Sequence, residues 1–162
     1  MAYLLSDGVL GSQPVASNST VQKHALGTIC RGVDPVYGAA EFIYLKGVAS
    51  TVVGSAVTYS ADDFSTALTV ANCIGPVAIA MSACVASEYG WYQIHGKAVV
   101  KAGTVADNAL VYVTATPGVV DDAVVAGDRI KNAVLASADG TPSAGLAECE
   151  IQRPFCDDAS AA

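Results

Sequence analysis

Charge is scarce in this chain and aromatic side chains are scarcer: of 162 residues, 14% are Asp, Glu, Lys or Arg and 7% are Phe, Trp or Tyr. The eight Lys and Arg stand singly against fifteen Asp and Glu, a net charge of −7. That balance argues against nucleic acid as a partner, because a phosphate-binding surface needs clustered cations to displace counterions. Long hydrophobic runs are missing too. The longest weakly polar stretch, CIGPVAIAMSACVAS from Cys73, holds Gly75, Pro76 and two Ser and falls short of the ~20 residues that span a bilayer. The start, MAYLLSDGVLGSQP, lacks the basic and long apolar regions of a secretory signal, so cytoplasmic synthesis without export is expected and NST at Asn18 carries no glycosylation meaning. The five cysteines, at successive spacings of 43, 11, 65 and 7, fit neither a complete disulfide set nor a CxxC zinc pair. They read as small buried apolar residues.

What the chain does have is thin apolar side chains: 52% of it is apolar, mostly Ala and Val. Such residues bring backbones close and gain little each on burial. A 16.3 kDa chain of this kind is one domain, since halving it would leave two marginal cores. Residues 1–38 are punctuated by Ser, Gly and Pro without clean alternation, and read as an extended arm. From Ala39 the text turns to strands. EFIYLKGV sets Phe42, Tyr44 and Lys46 on one face and Ile43 and Leu45 on the other, and STVVGSAVTYS continues in the same vein before a turn at Ser60 to Ser65. PVAIAMSACVAS has the Ala content of a short helix, but the preceding Gly75 and the period-two Val and Ile favour a strand. ALVYVTAT from Ala109 is the strongest strand signal, and RIKNAVLAS with GLAECEIQR, separated by ADGTPSA, reads as a hairpin with a long loop. Short runs every ten to fifteen residues predict an all-β domain, an antiparallel sandwich or barrel over residues 39–158, followed by a tail at 159–162.

EYGWYQIHGKAVVKAG, Glu88 to Gly103, concentrates the unusual residues: the only Trp, a His and two Lys. GWYQIHGKA imitates a phosphate loop but fails twice. Five residues rather than four separate Gly90 from Gly96, and Ala98 stands where the loop needs Ser or Thr. No Ser lies in a GxSxG elbow and neither His95 nor His24 has a carboxylate at a motif spacing, so no catalytic residue is assigned. The pairs Asp62-Asp63, Asp121-Asp122 with Asp128, and Asp157-Asp158 lack the alternating ligand pattern of a calcium loop and read as solvated turns. No metal or cofactor is assigned either. As a strand, the stretch sets Trp91, Gln93, His95, Lys97, Val99 and Lys101 on one face, which is expected to be wet or to meet a partner. The competing reading places Trp91 under a loop. The contact residues assigned on this basis are Gln22, Lys23 and His24 on the arm with Tyr89, Trp91, His95, Lys97 and Lys101. Lys23, Arg31, Lys97 and Lys101 are expected to pair with acidic groups of the partner.

The runs QKHALGTICRGVDPVYGAAEFIYLKGVAST, IGPVAIAMSACVASEYGWYQIHGKAVVKAG and ALVYVTATPGVVDDAVVAGDRIKNAVLAS, with a closing PFCDD, resemble the small head decoration, or cement, proteins of tailed bacteriophages. The likeness extends from about Gln22 to Asp158. It implies a non-enzymatic, β-rich virion protein that binds the major capsid protein on the outer surface of an icosahedral head, commonly as a homotrimer at or near threefold positions, and strengthens the shell. The family carries no catalytic residues to transfer. Two other readings compete: a head fibre or adhesin-type module that binds host carbohydrate, for which Trp91 has no second aromatic on its strand face, and a small virion hydrolase, for which no acid/base pair is evident.

Overall fold

A computed structural model describes residues 4–5 and 13–158. Apart from residues 4–5, the first twelve positions of the expected arm lie outside the described residues, as does the expected tail at 159–162.

Among the described residues every helix or strand is a strand: β1 (Leu4–Leu5), β2 (Asn18–Ser19), β3 (Ile29–Asp34), β4 (Gly38–Lys46), β5 (Ala56–Tyr59), β6 (Thr66–Leu68), β7 (Ile74–Ala80), β8 (Tyr89–Lys101), β9 (Leu110–Val113), β10 (Val120–Asp121), β11 (Arg129–Leu135) and β12 (Leu146–Asp157). The protein is all-β, as its short alternating runs predict. Its strands join in one sheet ordered β1-β3-β4-β8-β7-β12-β11-β9-β10, with β8 also pairing β12 and with β2, β5 and β6 as side branches. The expected hairpin is β11–β12, paired from Leu135↔Cys149 to Lys131↔Phe155 around a bulge. PVAIA forms β7 rather than a helix.

Part of this sheet closes. The path β8-β12-β11-β9-β10 returns on itself where Ala102 forms a parallel bridge to Val120 and the Gly103 N–H donates to the Val120 carbonyl at 2.9 Å. The inside of this barrel-like unit is filled by Val77, Ile79, Val100, Val111, Ile130, Leu135, Ile151 and smaller neighbours. Closure spares β10 and β8 the unpaired edges that invite association. Outside the ring, β4 and the first half of β8 are covered on both faces. Ile43, Leu45, Tyr92 and Ile94 pack with Val57 and Ala78 on one side; Phe42, Tyr44 and Trp91 pack with Val15, Cys30 and Met81 on the other. That double coverage explains why EFIYL is apolar on both faces.

The two regions meet at a fork in β8. Its first half pairs β7 through Ala80↔Tyr92 and Ile79↔Gln93; its second half pairs β12 from Gln152↔His95 to Leu146↔Lys101; and β7 and β12 pair each other beyond the split, through Pro76↔Phe155. Ladder hydrogen bonds cannot continue through such a junction. The buried Gln93 side chain fills the gap: its Nε2 donates to the carbonyls of His95 and Lys97, each at 3.1 Å. The bend that brings those carbonyls back over Gln93 passes through Gly96 at φ +95°, where a Cβ would sit 2.4 Å from the Ala39 carbonyl oxygen. Only glycine combines that φ with so close an approach.

The N-terminal region differs from the expected arm. Residues 29–34 form β3, in register with β4 from Ile29↔Ile43 to Asp34↔Gly38, so the boundary set at residue 38 falls at a hairpin turn inside the domain. Asp34 holds that turn by accepting the Val36 and Tyr37 N–H groups. β3 does alternate, but Cys30, Gly32 and Asp34 face inward while Ile29, Arg31 and Val33 face out. Its pattern is inverted relative to hydrophobic expectation, which is why it does not read as a strand.

Replacing Gln93 with Leu takes the amide donor from two partly buried carbonyls but also removes the buried Gln93 Oε1, which has no hydrogen-bond partner, so urea unfolding is expected to show a loss of about 1–2 kcal/mol. A loss below about 0.5 kcal/mol would mean the fork does not depend on the amide.

Candidate functional site

The residues assigned from the sequence separate into two places, and the cause is one bulge. Glu41 pairs with His95 but Phe42, the next residue, pairs with Gln93, so β8 spends an extra residue, Ile94, against β4. Consecutive residues of β4 point to opposite faces, so His95 lies on the face opposite Trp91 and Gln93. The single wet face expected from unbroken alternation does not exist. Trp91 and Gln93 are wholly buried, whereas His95 is exposed and Lys97 and Lys101 are half-buried on the other side.

Trp91 lies under the segment that precedes β3. Its indole N–H donates to the Gln13 carbonyl at 2.9 Å, and the Tyr44 hydroxyl donates to Gln13 Oε1 at 3.0 Å. Gln13 Nε2 in turn donates to the carbonyls of Ser17 and Tyr89, and the Gln13 N–H donates to His24 Nε2. The His24 ring completes an aromatic box, 5.0 Å from Tyr44 and 5.2 Å from Trp91 between centroids. β2 adds a short ladder to Gly90 and Tyr89. Residues 13–24 are therefore clamped onto β4 and β8; of the contact residues assigned there, Tyr89 and His24 are half-buried in the clamp and Gln22 and Lys23 are exposed on it. The Trp91 assignment as a contact residue is corrected: the loop reading holds, because a large indole with one polar handle is stabilised by burial plus a hydrogen bond.

His95, Lys97 and Lys101 belong to a broad outer face that crosses β3, β4, β8, β12 and β11. Arg31, Glu41, His95 and Gln152 form one row of cross-strand neighbours, and Lys97, Glu150, Val134 and Leu110 form the next. Four of its cations are engaged within the chain. Arg31 Nε and Arg153 Nη2 both donate to Glu41, at 3.0 and 2.8 Å; Lys97 pairs with Glu148 at 2.5 Å and lies 5.7 Å from the Tyr37 ring centroid; Lys131 pairs with Asp157. The expectation that Arg31 and Lys97 reach for a partner's carboxylates is therefore replaced by pairs in cis. Partial burial pushes the Glu41 carboxyl up, but the hydrogen bonds from Arg153 and Arg31 outweigh it and hold the group below the usual carboxylate range. Between the charged rows stand exposed apolar side chains: Val33, Val134, Leu110 and, near Lys131, Phe155.

The acidic pairs mostly do cap turns. Asp63 accepts from the Ser65 N–H and hydroxyl, Asp121 from the Ala123 N–H and Asp122 from the Ala106 N–H. Asp128 differs, being 5% exposed and accepting the Asn72 N–H at 2.7 Å. Sequence reasoning missed Gln13, Tyr44, Glu41, Glu148 and Arg153. The Glu41 role alone had a local signal, as a charge on an otherwise apolar strand. Compared with protein-family models, with curated proteins and with solved structures, the chain has no match.

Two outcomes follow. Trp91, the only tryptophan, is expected to emit well to the blue of a solvated indole and to resist aqueous quenchers, and Gln13→Ala is expected to shift its emission to the red; a red, freely quenched signal from the unaltered protein would place it on the surface. A carboxyl held low stabilises the fold above its unfolded pKa and loses that contribution as pH falls through the folded value. Because both arginines are largely exposed, solvent screening keeps Glu41→Gln to a loss of ~1 kcal/mol at neutral pH. The difference should vanish below the carboxylate range, and a gap that persists in acid would exclude the ion pairs as its source.

Proposed function

We propose that this chain is a structural, non-catalytic virion protein that binds the outer surface of an icosahedral phage head through the major capsid protein, as a homotrimer at or near threefold positions. The observation that carries this reading is the outer face on β3, β4, β8, β12 and β11, broad and stiffened by internal ion pairs. Such a face suits docking because little side-chain entropy is left to lose when a partner covers it. The runs that resemble head decoration proteins hold most of its strands: the first holds β3 and β4, the second β8 along with β7, the third β11 along with β9, while of β12 only the end falls in the closing PFCDD. Modest contacts of this kind, repeated over a trimer, add through effective concentration. The carbohydrate-binding alternative loses the Trp91 on which its aromatic platform rested.

Val134 and Gln152 are exposed on that face and take part in no ion pair, so Val134→Asp with Gln152→Asp adds charge without breaking the pairs. Incubated with purified heads lacking the protein, the parent chain is expected to bind and the double variant to lose affinity about tenfold or more, with its melting temperature unchanged. Full occupancy by the variant would remove this face as the docking surface. Failure of the parent to bind would overturn the head reading. Light scattering should give three times 16.3 kDa if the trimer forms before docking, and 16.3 kDa if it forms only on the shell.

A further inference from the structure

Cys73 and Cys156 are far apart in sequence and meet where the start of β7 joins the end of β12. The ladder sets Cys156 opposite Gly75. Cys73, two residues before Gly75 and just outside β7, packs against the same core cluster that contains Cys156. Both cysteines pack on the barrel-like core, Cys156 buried within it and Cys73 half-buried at its rim. The two thiols stand close enough to perturb one another directly. The turn that delivers Cys73 is fixed by the Asn72 N–H bond to buried Asp128 and by the Cys73 N–H bond to the Val70 carbonyl.

We propose that Cys73 and Cys156 form a redox-active dithiol that closes to an intrachain disulfide by exchange with a small-molecule disulfide. The Cys73 thiolate attacks one sulfur of that disulfide, forming a mixed disulfide and expelling the first thiolate. Cys156 then gives up its proton to solvent and attacks Cys73 Sγ, expelling the second thiolate. Two electrons pass from the protein to the small molecule, which leaves as two thiols. The roles are unequal. Cys73 is the more exposed, and the adjoining Cys156 side chain pulls its thiol below the ordinary value against partial burial and the Asp128 charge, whereas the adjoining Cys73 and burial push Cys156 well above it. The attacking thiol is the accessible, more acidic one. Cys84 and Cys149 are buried and pushed by that burial to about 11 and about 12, which makes them poor competitors. This site stands whether or not the chain coats a head.

The test uses the full chain, reduced and then equilibrated with a mixture of oxidised and reduced glutathione. Digestion without reductant is expected to yield a linked peptide joining Cys73 to Cys156, lighter by two hydrogens, and the oxidised protein should melt roughly 10 °C above the reduced form because a long loop is closed. Cys73→Ser and Cys156→Ser should each abolish the link, while Cys149→Ser retains it. Recovery of both thiols unmodified from the parent chain, a link between another pair, or a glutathione adduct on Cys73 that never resolves would each overturn the proposal, and none of these readings depends on a variant folding.

Discussion

The fork at Gln93 is the constraint on which the rest of the sheet depends. β8 has to serve two neighbours on one side, β7 along its first half and β12 along its second, and no continuous ladder satisfies the backbone through that change. A buried carbonyl without a donor costs a substantial part of a domain's net stability. One amide placed two and four residues before the carbonyls it serves resolves this locally. The Ile94 bulge and the Gly96 bend lie within the same few residues of β8 as the two carbonyls that Gln93 serves. Everything on either side inherits its orientation from that point, including which face His95 and Lys97 present.

The thin side chains follow from the same architecture. A closed unit whose interior is shared by seven strands leaves little room at its axis, and Ala56, Ala98, Ala133 and Ala147 occupy positions where larger residues would force the walls apart. Large aromatics sit instead where β4 and β8 are sandwiched between side branches and the clamped N-terminal segment, and there Trp91, Tyr44 and Tyr92 are buried. The core cluster inside the ring is thus built largely of Ala, Val and Ile and holds no aromatic residue.

Strands with ordinary hydrophobic text were legible: EFIYL, ALVYV and the β11–β12 pair declare themselves because their apolar residues match the faces they bury. β3 was not, because its inward residues are Cys30, Gly32 and Asp34. The face assigned to Trp91 and His95 was wrong for a different reason. Period-two reasoning presumes an unbroken strand, and nothing in WYQIHG announces that one residue is spent on a bulge, although Gly96 marks the place where the chain could bend. The Gln13 clamp and the two meeting cysteines are long-range facts that only the fold supplies, because neither has a local sequence pattern.

An outer face on which four cations are already paired behaves differently from one bristling with free charge. Arg31, Arg153, Lys97 and Lys131 each have a carboxylate of their own chain, so a partner that approaches them meets closed dipoles rather than monopoles, and the long-range steering that free charges provide is weak. What such a face offers is shape and the apolar ridges between the pairs, at Val33, Val134, Leu110 and Phe155. Contact would then be favoured by removal of apolar area from water and only lightly by salt-sensitive attraction. That combination gives a modest affinity for one copy, and a repetitive surface that holds several copies at once is the setting in which a modest affinity suffices.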